Sequence, residues 1–166
     1  MRIDLKNIIR TPGASLPFSF SMDLSMFDWN GEKPVTKPVE VEGTVRNMAG
    51  ALVLNCRLST VLDLTCDRCT KAFSREKVVS YETLLATELE QEDSDDIILL
   101  ENEELDAGEL LQDVFILAME SKNLCSEDCK GLCPGCGVDM NVAKCRCQRV
   151  VDPRLADLAK FFEQDS

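Results

Sequence analysis

The 166-residue chain has the length of one domain, and no apolar run reaches the roughly 18 residues of a membrane span. Its 30 acidic residues against 18 basic ones give a net charge of −12, the wrong sign for gripping nucleic acid over a whole surface. The complete absence of histidine excludes serine–histidine and cysteine–histidine triads, a histidine general base and any histidine-held metal. The acid is concentrated: between Val78 and Ser121 there are fourteen acidic residues and no Lys or Arg. Without that block the rest is close to neutral, which leaves room for a small basic contact surface.

Met1 to Arg10 alternates polar and apolar residues and has no continuous apolar stretch, so it is not read as a secretory signal. A cytoplasmic location and no membrane partner are expected. The first thirty residues read as a loosely ordered opening segment, with a turn at Thr11-Pro12-Gly13 and a short half-buried strand through Phe18, Phe20, Met22 and Leu24. Trp29-Asn30-Gly31 and the prolines at 34 and 38 mark a loop. From Val39 the period is two again, through Val41 and Val45, and Asn47-Met48-Ala49-Gly50 reads as a hairpin turn. Leu52, Leu54, Cys56, Leu58, Leu62 and Leu64 then share one face of a long strand. A third run follows from Phe73 to about Ala86. These three strands predict an antiparallel meander with Cys66-Asp67-Arg68-Cys69 at one corner.

Residues 88–96 form an acidic loop too polar to bury, after which Ile97-Ile98-Leu99-Leu100 can add a strand. Asp106 with Glu109 three residues on resembles a capping box. It opens a helix over Leu105–Glu120 whose apolar face carries Leu110, Leu111, Val114, Phe115, Leu117 and Ala118. A second, short helix is predicted from Asp152-Pro153, with Leu155, Leu158, Ala159 and Phe162 as its stripe. The expected fold class is therefore α+β: an antiparallel meander packed with one helix, then a cysteine-rich knuckle and a short C-terminal helix. Residues 1–121 form the sheet-and-helix core and 122–166 the knuckle segment, docked on it as one domain.

Nine cysteines in a chain without a secretion signal point to metal binding or thiol chemistry more than to disulfides. In Leu132-Cys133-Pro134-Gly135-Cys136-Gly137, two thiolates separated by two residues can hold one ion at about 2.3 Å, and the glycines allow the turn that aims backbone N–H groups at the sulfurs. Cys145 and Cys147 are the nearest residues that could complete a tetrahedron with Cys133 and Cys136. Cys66, Cys69, Cys125 and Cys129 remain as a second set of four. One ion or two fit the count, since Cys125 and Cys129 could instead replace Cys145 or Cys147. The cofactor expected is structural zinc; an iron–sulfur cluster takes the same ligands. Cys56 lies on the apolar side of its strand and reads as a core residue.

A competing function is thiol oxidoreductase chemistry at Cys66 and Cys69. A reactive thiol of that kind sits at a helix N-terminus, whereas turn and strand follow Cys69 here. Lys144, Arg146, Arg149 and Arg154 surround the last cysteines. They are ordinary surface charge or, on a rigid knuckle, the best candidates for contacting RNA phosphates, the reading of a zinc-ribbon nucleic-acid-binding adapter. No Walker loop or dinucleotide fingerprint is present, and no small-molecule substrate is expected.

The order of these parts resembles the YceD-like family of large ribosomal RNA subunit accumulation proteins. The likeness is carried by Leu64-Thr65-Cys66-Asp67-Arg68-Cys69, the acidic region with its helix, Cys125-x3-Cys129-Lys130-Gly131-Leu132-Cys133-Pro134-x-Cys136-Gly137, Asn141, Cys145-x-Cys147 and Asp152-Pro153-Arg154. The resemblance implies a non-enzymatic factor that supports 23S ribosomal RNA accumulation, through synthesis, processing or stability, in large-subunit biogenesis. It implies as partner a large-subunit ribosomal RNA precursor or a basic ribosomal or assembly protein. The family's cysteines map onto Cys66, Cys69, Cys125, Cys129, Cys133, Cys136, Cys145 and Cys147.

Overall fold

The computed structural model describes residues 1–48, 51–88 and 97–147. Strand β1 (Arg2–Asp4), helix α1 (Lys6–Ile9) and strands β2 (Ser15–Met22), β3 (Val39–Met48), β4 (Ala51–Thr65) and β5 (Ala72–Ala86) come first. Short strands β6 (Ile97–Leu99) and β7 (Glu104–Asp106) then lead into helix α2 (Ala107–Leu117). The main sheet has the order β2-β3-β4-β5-β6. Its first three pairings are antiparallel, and the fourteen Cα pairs from Leu52↔Leu85 to Thr65↔Ala72 make β4–β5 its longest ladder.

Alternation along β4 does most to define the core. Leu52, Leu54, Cys56, Leu58, Thr60, Leu62 and Leu64 are all buried, while the intervening residues are half-buried or exposed. Burying each leucine removes apolar surface worth about 1.5–3 kcal/mol from water. The same face of β3 adds Val39, Val41 and Val45, and α2 contributes Leu111 and Phe115, both fully buried. Phe18 lies opposite Gly43 in the β2–β3 register, and its ring occupies the space a side chain at position 43 would fill. The glycine that weakens β3 intrinsically is thus covered by a cross-strand aromatic ring.

Three features differ from the sequence reading. The opening segment is ordered: β1 pairs antiparallel with β7, Ile3 opposite Leu105, and the buried Leu5 donates its N–H to the Glu103 carbonyl at 3.0 Å. Nothing local signals a pairing across a hundred residues. Asn47 belongs to β3, not to a turn. It is buried, and its Nδ2 donates to the carbonyls of Ile8 (2.8 Å) and Ile9 (3.0 Å), satisfying backbone oxygens at the end of α1. The added strand β6 runs parallel to β5, so the sheet is mixed, and two short helices are present among the described residues.

Helix α2 opens at its expected capping residue and ends at Leu117, while Leu105, the first residue of the range read as helix, is in β7. Its N-cap is Asp106, whose Oδ1 accepts the Glu109 N–H at 3.2 Å; this bond and the adjacent Arg2 hold the carboxyl below its usual range. Residues 49–50 of the expected hairpin turn, residues 89–96 of the acidic loop and the helix expected from Asp152 lie outside the described residues. No helix of the described residues is long and apolar enough to cross a membrane.

The chain divides into two compact units. One comprises Met1–Thr65 and Ala72–Asn123, with the sheet, both helices and the whole apolar core cluster. The other combines Cys66–Lys71, the connection from β4 to β5, with the described residues from Leu124 to Cys147.

Candidate metal centres

The second unit is assembled around sulfur. Its buried apolar side chains among the described residues are cysteines, Cys66, Cys69, Cys129 and Cys133. Eight thiols gather into two quartets, Cys66, Cys69, Cys125 and Cys129 in one and Cys133, Cys136, Cys145 and Cys147 in the other. Within each quartet all four sulfurs lie within 4.8 Å of one another. No disulfide joins any of the nine cysteines. Cys56 sits apart in the β4 core, where burial pushes its thiol up to about 11.

The spacing suits a single ion. Four thiolates at about 2.3 Å from a tetrahedral centre are about 3.8 Å apart. Cys66–Cys129 and Cys69–Cys125 measure 3.8 and 3.6 Å. Cys136–Cys145 measures 3.7 Å, and Cys133–Cys145 is closer at 3.1 Å. Both clusters can hold a metal ion. They differ in cover: three of the first four cysteines are buried, whereas Cys136 and Cys147 are exposed.

Local backbone geometry explains the two CxxC turns. In Cys133–Val138, the Gly137 N–H donates to the Cys133 carbonyl at 2.8 Å and the Cys133 N–H to the Val138 carbonyl at 2.9 Å. Cys66–Lys71 repeats this pattern, Thr70 N–H to Cys66 carbonyl at 2.8 Å and Cys66 N–H to Lys71 carbonyl at 2.9 Å. The chain therefore carries two equivalent knuckles. Each needs a left-handed residue after its second cysteine, and these are Gly137 at φ 72° and Thr70 at φ 58°. Glycine signals the first in sequence; a β-branched threonine, which strongly disfavours that region, conceals the second. Thr70→Gly is expected to relieve about 1–3 kcal/mol of backbone strain and to tighten metal retention by the first quartet, measured by chelator competition.

The thiol electrostatics of the two quartets are also alike. Burial alone would raise the Cys66 thiol, but the backbone N–H groups of Cys125, Cys69 and Arg68 outweigh it and bring it down to about 6. Cys133 is brought down to about 6 by the Cys145 thiol and by the N–H groups of Cys136 and Gly135. Burial and the neighbouring sulfurs push Cys125 up to about 12. Cys147 is likewise pushed up to about 12 by Cys145 and Cys136, and Cys69 and Cys145 are also raised. Each quartet thus favours one thiolate and cannot ionise fully without a cation at its centre.

Two consequences follow at neutral pH. Cys69 and Cys125 in one quartet, and Cys145 and Cys147 in the other, hold their protons, so each entering ion must displace at least those two. Metal affinity therefore rises with pH, because the free quartet binds protons that the loaded one lacks. Calorimetric titration with metal in buffers of different ionisation enthalpy should show this release; a buffer-independent heat would contradict it.

Around the sulfurs, Arg68 Nη1 donates to the Cys129 carbonyl at 2.8 Å, and Asn141 Nδ2 points at Cys129 Sγ at 3.5 Å. The sequence reading assigned neither residue a role. An asparagine two residues after Asp139 in a cysteine-rich turn was the signal available for the second. Lys144 and Arg146 are exposed, and neither is in an ion pair among the described residues. Arg149 and Arg154 lie outside the described residues.

Paired knuckles, each joined by two further thiols, make two groups of four cysteines that could each hold a metal ion. The family described as large ribosomal RNA subunit accumulation protein YceD matches residues 54–162. This covers both quartets and more than half of the chain, and the chain belongs to that family. It is similar to the large ribosomal RNA subunit accumulation protein YCED homolog 1, chloroplastic, of Arabidopsis thaliana. The two are 27% identical over 147 aligned positions, covering 70% of this chain. The chain spans about half the length of that relative, 46%. No solved structure matches the chain.

Proposed function

We propose that the protein is a non-enzymatic factor supporting 23S ribosomal RNA accumulation in large-subunit biogenesis, acting in the cytoplasm by binding, with one structural zinc ion in each quartet. The observation that carries this reading is the family match across residues 54–162, together with the relative's name. Zinc is favoured because sulfurs within 4.8 Å of one another suit one tetrahedral ion, whereas a multi-iron cluster holds its thiolates further apart. Four cysteines also fill a tetrahedral ion, which is the arrangement of structural sites; catalytic zinc keeps a position open.

The proposed RNA contact is the exposed pair Lys144 and Arg146, extended in sequence by Arg149 and Arg154. A second reading, a basic ribosomal or assembly protein as partner, is favoured by a concavity of about 300 Å³ in the first unit. Glu101, Glu109 and Asp113 line it with no ion pair among the described residues, alongside Ile98, Leu99 and Leu110. Thiol oxidoreductase chemistry has less support: Cys66 is fully buried, and β5, not a helix, follows the knuckle.

Depleting the protein in its own cells should lower 23S relative to 16S ribosomal RNA, and the protein should co-sediment with large-subunit precursors. An unchanged ratio after depletion would refute the reading. Lys144→Glu with Arg146→Glu distinguishes the partners. Direct RNA contact predicts weaker binding to large-subunit RNA with a shallower salt dependence, and a protein partner predicts no change.

A further inference from the structure

We propose that the two tetrathiol centres take up metal cooperatively and that Asn141 carries the coupling, an inference that rests on reading both quartets as metal sites. One short segment serves both. It starts at Cys129, a member of the buried quartet, carries Cys133 and Cys136 of the exposed quartet at its tip, and returns at Asn141 to Cys129.

The hydrogen bonds of Asn141 make that return specific. Its Nδ2 donates to Cys129 Sγ at 3.5 Å and to Asp139 Oδ1 at 2.7 Å. Its Oδ1 accepts the Lys130 N–H at 2.7 Å, and its own N–H donates to Asp139 Oδ1 at 2.8 Å. The hairpin that sets its position is the one bearing the second knuckle. Met140 N–H donates to the Gly131 carbonyl at 2.9 Å, Leu132 bridges Asp139, and Cys133 N–H donates to the Val138 carbonyl at 2.9 Å.

The base of this hairpin rests on the first knuckle. Leu132 N–H donates to the Arg68 carbonyl at 2.9 Å. Gly131, at φ 74°, approaches so closely that a Cβ there would lie 2.8 Å from that oxygen. A glycine is needed on both counts.

A thiolate ligand is stabilised by the donors aimed at its sulfur, and outer residues that orient ligands contribute substantially to metal affinity. Few buried apolar side chains hold the hairpin, so an ion at Cys133, Cys136, Cys145 and Cys147 is what fixes its tip. With that ion in place, Asn141 is presented to Cys129 in donating geometry. Without it, Cys129 loses a donor. Linkage makes the effect reciprocal. Because Cys136 and Cys147 are exposed, the outer centre is the one that exchanges with solvent, and its occupancy sets how firmly the inner ion is held.

The test uses the full chain, reduced and loaded with zinc, titrated with a chromogenic zinc chelator. The wild type should release both ions in one transition. Asn141→Ala, which leaves all eight thiols in place, should split it into two, with the inner ion held about 10-fold more weakly. Asn141→Asp keeps an acceptor for Lys130 but lacks the sulfur donor, and should split the transition at least as far. Cys136→Ser with Cys147→Ser should leave one ion at that weakened affinity, and adding Asn141→Ala should weaken it no further. Two separate transitions in the wild type with midpoints unmoved by Asn141→Ala would overturn the coupling while leaving two sites intact. Absence of bound zinc after reconstitution would overturn the metal-site reading itself.

Discussion

Removing the metal from reduced protein should abolish amide-exchange protection over Leu124–Cys147 and Cys66–Lys71 while Val39–Thr65 and Ala72–Ala86 stay protected. Among the described residues the second unit contributes nothing to the apolar core cluster, which ends in sequence at Met119, and its buried apolar positions there are the cysteines themselves. Structural zinc in small modules supplies on the order of 10 kcal/mol of folding free energy, whereas the described residues of this unit bury no aliphatic or aromatic side chain. The strands have an independent source of stability in the seven buried side chains of β4 and their partners on β3 and α2. Hydrogen exchange read by mass spectrometry, with and without chelator, resolves the two regions. Equal protection in the stripped protein would remove the structural role of the metal.

Phe115→Ala is expected to have the opposite distribution of effects. Phe115 is the largest fully buried side chain among the described residues and lies on the face of α2 that also carries Leu111. Truncating it to alanine leaves a cavity and should cost about 3–5 kcal/mol. The unfolding free energy of the sheet-and-helix unit, read from denaturant titration, should fall by that amount, while zinc content stays at the wild-type value. Loss of metal in this variant would mean that the quartets depend on the apolar core and not on their own knuckles.

Different parts of the molecule were legible to different degrees, for physical reasons. The runs forming β3, β4 and β5 could be read because a sheet with one buried face imposes a period of two, and β4 keeps it for fifteen residues. The start of α2 was readable from Asp106 and Glu109, because capping chemistry is local. Pairing of β1 with β7 and burial of Asn47 against α1 were not readable, since both depend on residues brought together by tertiary structure. β6 was legible as a strand but not in direction, which no property of Ile97-Ile98-Leu99 encodes. At the metal centres, cysteine spacing narrowed the candidates but left the grouping open; the geometry groups Cys66 and Cys69 with Cys125 and Cys129. Thr70 concealed the likeness of the two knuckles because glycine is the usual marker of a left-handed turn.

The inner quartet joins cysteines far apart in sequence: Cys66 meets Cys129 across 63 positions and Cys69 meets Cys125 across 56. An ion held there would therefore be a staple around a loop containing β5, β6, β7 and α2. Closing a loop of that length in an unfolded chain removes conformational freedom equivalent to about 4 kcal/mol, on the scale used for disulfides. A cross-link that survives unfolding would raise the thermal midpoint of the sheet by restricting its denatured ensemble, with no contact to the strands required. The same separation orders events during synthesis. Cys66 and Cys69 emerge with half a ligand set and can close it only after α2 has been made, so a fully liganded inner ion marks a chain translated at least as far as Cys129.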